Sequence, residues 1–138
     1  MLIEALIAII IFSIGILALI GLQAAATGQV TESKMRSDAS FIADKVIGDL
    51  AAGTALTNAA LRPFEGTYSA TVLPGGADAT IAAGWQSLLT QNLPSGSLTL
   101  TIPATVNATD PSAVTVVVSW QTPAGTRSFR QTSMLVDS

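Results

Sequence analysis

Hydrophobic and polar positions fall into three regimes along the chain. The first, MLIEALIAIIIFSIGILALIGLQAAA, is apolar on every side. No charge lies between Ala5 and Leu22, and the only interruptions are Ser13, Gly15 and Gly21. At a helical rise of about 1.5 Å per residue, that run reaches roughly 27 Å, close to the thickness of a bilayer's hydrocarbon layer. A helix that is apolar all round has no place on a water-facing surface. One carboxylate, Glu4, stands at its start. A charge at the rim of a membrane helix is expensive and is by default a functional hypothesis.

The second regime starts after Ala26. Thr27, Gly28, Gln29 and Thr31 form a polar collar. Met35, Ala39, Ile42, Val46 and Leu50 then recur at spacings of three and four, which draws one apolar stripe on a helix. Glu32–Arg36, Lys34–Asp38 and Lys45–Asp49 are opposite charges at i,i+4, each worth a few tenths of a kcal/mol to a helix. No proline precedes Pro63. The pattern predicts one continuous helix from Met1 to about Ala52, ended by Gly53. Residues 1–26 suit lipid or the interior of a bundle. Residues 27–52 suit water on one side and a core on the other, and residues 53–138 form the head.

In the third regime, Ala55–Leu61 reads as a short helical turn before Pro63. Tyr68–Leu73 alternates weakly and reads as an edge strand, stopped by Pro74-Gly75-Gly76. Ala82–Leu93 reads as a short helix with Trp85, Leu88, Leu89 and Leu93 near one face and Pro94 as its stop. Ser97–Ile102 and Val114–Trp120 alternate with period two and are rich in β-branched residues, the mark of half-buried strands. Pro103–Ser112 joins them as a polar loop, Thr122–Thr126 is a turn, and Arg127–Val136 returns as a last strand. The expected class is α+β: a long N-terminal helix packed on a small antiparallel β-sheet, with the stripe through Ile42, Val46 and Leu50 covering the sheet's inner face. Trp85 and Trp120 are expected to pack in the head rather than to act as adhesive aromatics. Arg127 and Arg130 read either as partner contacts or as edge charges that discourage strand pairing.

Composition narrows the function. The chain has 138 residues, 11% of them charged, with a net charge of −3. Without a basic patch, nothing points to nucleic acid. Cysteine and histidine are both absent, which removes the usual zinc, haem and thiolate ligands and both Ser–His and Cys–His catalysis. The remaining acids, such as Glu65, Asp78 and Asp110, share no local motif. We therefore expect no enzyme, no cofactor and no metal. Asn107-Ala-Thr109 fits a glycosylation sequon, but such matches are common by chance. A secretory signal is disfavoured, because no basic segment precedes the apolar run. A plain membrane anchor stays open, although it leaves Glu4 unexplained.

The opening Met1-Leu-Ile-Glu4-Ala-Leu-Ile-Ala resembles the mature N-terminus of type IV pilins and pseudopilins. In that superfamily a peptidase cuts after a glycine and the glutamate lies just inside the hydrophobic helix. Further along, Phe12-Ser-Ile-Gly15-Ile-Leu-Ala-Leu, Gly21-Leu-Gln23 and Phe41-Ile-Ala-Asp44-Lys-Val-Ile are similar to minor pilins of the type IV pilus modification protein family. So are Trp85 ahead of Leu93-Pro94 and the strand Val114-Thr-Val-Val-Val-Ser-Trp120. Two departures stand out: three residues rather than four precede Glu4, and the head lacks the cysteine pair of many pilins. The first implies a processed or trimmed N-terminus.

The resemblance implies a non-catalytic minor subunit of a type IV pilus that helps to initiate, assemble or modify the filament. A type II secretion pseudopilin or a major pilin of a related filament is an alternative within the class. A membrane-anchored extracytoplasmic binding module is the alternative outside it. Implied partners are other pilin subunits, the inner-membrane assembly machinery and the membrane before assembly. The implied location is the inner membrane with an extracytoplasmic head, and then the extracellular pilus. Local charge alone, with Lys34 and Arg36 following the apolar run, points the head the other way. The resemblance also casts Glu4 as the subunit-assembly residue, and Ala5, Ile9, Phe12, Gly15, Leu19 and Leu22 as part of the transmembrane or filament-core helix.

Overall fold

The computed structural model describes residues 1–53, 58–103 and 112–135. Helix α1 runs from Leu2 to Gly53 without a break, 52 residues in all. The chain divides into two compact units, Met1–Lys34 and Met35–Ser138.

The first unit is the apolar end of α1. Three of its hydroxyl side chains turn back onto their own helix. Ser13 Oγ donates to the Ile9 carbonyl at 2.7 Å, Thr27 Oγ1 to Gln23 at 3.0 Å, and Thr31 Oγ1 to Thr27 at 3.0 Å. These bonds satisfy three hydroxyls within the helix, and for Ser13, inside the apolar run, that is the arrangement a water-free surrounding demands.

The second unit is an α+β head. After α1 come α2 (Asn58–Leu61), a single 3-10 turn (Arg62–Phe64), β1 (Gly66–Ser69), α3 (Ala79–Asn92), β2 (Ser97–Thr101), β3 (Ser112–Thr122) and β4 (Gly125–Leu135). The strands form one antiparallel sheet in the order β1-β2-β3-β4. Tyr68 pairs with Leu98, Leu98 with Val118, and Val118 with Phe129 across the four strands. Because side chains alternate, this register sends Tyr68, Leu98, Leu100, Val114, Val116, Val118 and Trp120 to one face, where all are buried. The other face is threaded by hydroxyls: Thr67 and Thr99 meet at 3.3 Å, and Thr115 and Thr132 at 3.1 Å. A meander of this kind can keep one face wet.

The stripe of α1 supplies the cover. Ala39, Ile42, Ala43, Val46 and Leu50 are buried in a single cluster with the inward strand residues, and Met35 packs against its edge. Burying each large side chain contributes roughly 1.5–3 kcal/mol. Ala43, also buried, extends the stripe read from periodicity.

Two elements differ from the sequence pattern. The edge strand is Gly66–Ser69 rather than Tyr68–Leu73. After Ser69 the chain doubles back, with Ser69 and Val72 exchanging backbone hydrogen bonds of 3.0 and 3.4 Å, and Val72 and Leu73 face solvent. The strand starts early because Gly66 holds φ at +147°, a conformation side chains resist, beside Pro74. A Cβ on Gly66 would fall 2.8 Å from the Pro74 ring. Helix α3 begins three residues before Ala82, because Asp78 caps it. Its Oδ1 accepts from the Thr80 and Ile81 amides at 2.9 and 3.3 Å. Strands β3 and β4 are each longer than their apolar cores suggest, and Pro123-Ala124 joins them in a two-residue hairpin. The sequon at Asn107 lies outside the described residues, as do residues 55–57 of the expected turn.

Candidate functional site

In the first unit, every residue from Met1 to Lys34 is exposed. Glu4 lies in the first turn of α1. The positive end of the helix dipole favours a carboxylate there by up to about 1 kcal/mol. Among the described residues it has no salt bridge. Ile9, Phe12, Leu19 and Leu22 are between 59% and 69% exposed. With Ala5 and Gly15 they recur at spacings of three and four, so all six share one stripe of the helix. Gly15 and Gly21 have nothing within 4 Å of where a Cβ would stand. This is one helix long and apolar enough to cross a membrane. A surface of this kind is not stable in water and requires lipid or protein around it.

In the second unit, the residues expected to pack are packed. Ile42, Val46 and Leu50 are at most 1% exposed, Trp85 1% and Trp120 3%. The Trp85 ring sits 5.3 Å from Tyr68, edge-on, and 5.9 Å from Phe64, spacings at which aromatic pairs attract. Its indole N–H donates to Asp49 Oδ2 at 2.9 Å, and the Lys45 ammonium bonds the other carboxylate oxygen. Burial raises the Asp49 pKa, but the bonds from Lys45 and Trp85 outweigh it and hold the carboxyl below its ordinary value. Burial pushes the Tyr68 phenol up to about 12, while its hydroxyl donates to the Phe64 carbonyl at 2.6 Å.

Trp120 differs from Trp85. Its indole nitrogen is buried without a hydrogen-bond partner among the described residues. The Gln86 amide fastens α3 to the end of β1 by donating to the Ser69 and Ala70 carbonyls at 2.7 and 2.8 Å. Gln131 reaches from β4 to Asp44 on α1 at 2.8 Å. Neither glutamine stood out in the sequence, since an isolated Gln carries no periodic signal. Asp49 was visible only as a partner for Lys45. What marks it is the buried indole, which needs an acceptor.

An open groove of about 610 Å³ lies between the last turns of α1 and the first and middle turns of α3, lined by Lys45, Asp49, Ile81, Trp85 and Leu88 among others. Both oxygens of Asp49 are already engaged, so the groove offers no free acid or base for catalysis. Among the described residues, no three His, Cys, Asp or Glu gather to hold a metal. Comparison with known protein families, curated proteins and solved structures returned no match.

Proposed function

We propose that this chain is a non-catalytic filament subunit of the type IV pilus kind, acting as a minor component in initiation, assembly or modification. The observation that carries this reading is the exposure of the whole apolar half of α1, with the lone carboxylate Glu4 in its first turn. The other half of the same helix is the core of an α+β head. Membrane insertion alone accounts for the apolar surface but not for Glu4. An anion in a dry environment costs several kcal/mol even after relaxation, more than the helix dipole returns. A cation must therefore meet Glu4, and the chain has no Lys or Arg before Lys34.

In the proposed cycle the helix first waits in the inner membrane, with the head outside. A free terminal amine and lipid headgroups serve Glu4 there. On assembly the helix moves into the packed centre of a fibre, where the amine of a neighbouring subunit pairs with Glu4 and sets the register. The stripe through Ala5, Ile9, Phe12, Gly15, Leu19 and Leu22 exchanges lipid for neighbouring helices. The same reading covers a type II secretion pseudopilin or a major pilin. Glu4→Gln keeps shape and removes charge. The expected result is equal membrane level and an intact head, with poor recovery in sheared filaments. Normal recovery, or sole retention of the parent chain in membranes, favours an anchored extracytoplasmic binding module instead.

A further inference from the structure

The two edges of the sheet are treated differently. Strand β1 is four residues long, and its end is held by Gln86 from α3. Short length and cover are two ways of keeping an edge from pairing. Strand β4 is eleven residues long, and among the described residues no strand lies beyond it. Every second residue of β4 turns its N–H and C=O away from β3, so a row of backbone donors and acceptors is presented along the strand. All the formal charge in the sheet is on this strand and is positive: β1, β2 and β3 contain no charged residue, while β4 carries Arg127 and Arg130, both exposed. The register puts them on opposite faces, Arg127 opposite Trp120 and Arg130 opposite Val117.

We propose that the free edge of β4 is a docking site for an extended acidic segment of another protein, which adds to the sheet as a fifth strand. Backbone pairing supplies the affinity in such additions, and side chains supply the choice of partner. Arg130 is the middle residue of Gly125–Leu135. Antiparallel pairing of β4 with a second copy over its full length therefore places Arg130 directly against Arg130 at the two-fold axis. Like charges opposite one another oppose pairing. A strand with a carboxylate at that point gains from the same geometry. Selection against self and for an acidic strand thus comes from one side chain, on a strand whose outward face is otherwise Thr126, Ser128, Thr132 and Met134.

The proposal is independent of filament assembly and is tested on the full chain in detergent. Two eleven-residue peptides of alternating Thr and Val, one with a central Glu and one with a central Lys, are titrated by fluorescence anisotropy. Amide hydrogen exchange is followed in parallel. The Glu peptide is expected to bind saturably and to slow exchange at alternate residues of β4. Arg130→Glu, at an exposed position, is expected to leave the circular dichroism spectrum unchanged, to weaken the Glu peptide about five- to tenfold and to reverse the preference. Equal binding of both peptides, binding of neither, protection elsewhere than β4, or self-association through β4 that Arg130→Glu leaves unchanged would each overturn it.

Discussion

The indole nitrogen of Trp85 lies 2.9 Å from Oδ2 of Asp49, tying the middle of α3 to the penultimate turn of the long helix. The bond adds a directional contact to the apolar packing of these two elements. Burial removed Trp85 from water, and Asp49 returns to its N–H the acceptor that burial took away.

Removing that acceptor is predicted to cost more than removing the salt bridge beside it. Asp49→Ala leaves a buried donor unpaired, worth about 1–3 kcal/mol. Asp49→Asn keeps one acceptor for the indole and loses the charge and the oxygen that Lys45 bonds, at about 1 kcal/mol. Lys45→Ala breaks a half-exposed i,i+4 pair, for which less than about 1 kcal/mol is expected. Urea unfolding of the three variants should rank them in that order. A larger loss from Lys45→Ala than from Asp49→Ala would contradict the account.

The same site and Tyr68 set opposite ends of a pH profile. Asp49 has a folded-state pKa below its ordinary 3.8, so its contribution is complete above about pH 4 and is lost as pH falls through the lowered value. Tyr68 is raised from 10.0 to about 12. The neutral phenol is favoured in the folded state, so its contribution is complete below pH 10 and is lost as pH rises through 12. Two pK units correspond to about 2–3 kcal/mol. Tyr68→Phe is predicted to remove the alkaline part of the transition while leaving the acid limb intact, as read by stability across pH 9–12.

Periodicity reported the parts of the head that obey one rule at a time. Ile42, Val46 and Leu50 on the helix, with Val114, Val116 and Val118 on the strand, each repeat a simple spacing, and burial follows it. Where local chemistry decides, the pattern was silent. Asp78 moves the start of α3 because a carboxylate caps two amides. Gly66 moves β1 because only glycine fits its φ beside Pro74. The candidate site was legible in its residues but not in its contacts. The apolar run and Glu4 stand out in one dimension, whereas the Trp85–Asp49 bond joins residues 36 positions apart. No spacing rule reaches that far.

Ile42 is fully buried under the sheet. Ile42→Asp places an unpaired carboxylate there, with an expected cost of about 4 kcal/mol or more. Domains of this size commonly have only 5–15 kcal/mol in total. The full chain in detergent should lose the near-ultraviolet dichroism of Trp85 and Trp120 and its cooperative thermal transition. Phe41, one residue earlier and 60% exposed, is the control: Phe41→Asp should leave both signals in place.

The long helix is continuous through Gly15 and Gly21, yet these are its weakest positions before the polar collar. Each glycine in a helix interior costs about 1 kcal/mol relative to alanine, and nothing stands where a Cβ would go at either site. In lipid the segment stays helical regardless, because unpaired backbone groups have no water to turn to. In the proposed filament the surroundings would be other helices, which could satisfy or bury a loosened turn and let the subunit extend. If the glycines serve that step, Gly15→Ala with Gly21→Ala should be neutral for membrane insertion and for the head. The pair should bias each subunit against opening by about 2 kcal/mol, more than tenfold in population. Reduced recovery in sheared filaments at equal membrane levels is the expected outcome, together with a parent filament map in which α1 is interrupted between Gly15 and Gly21. An unbroken helix there, or full recovery of the double variant, would remove glycine-permitted melting from the assembly step and leave these two residues as close-packing positions alone.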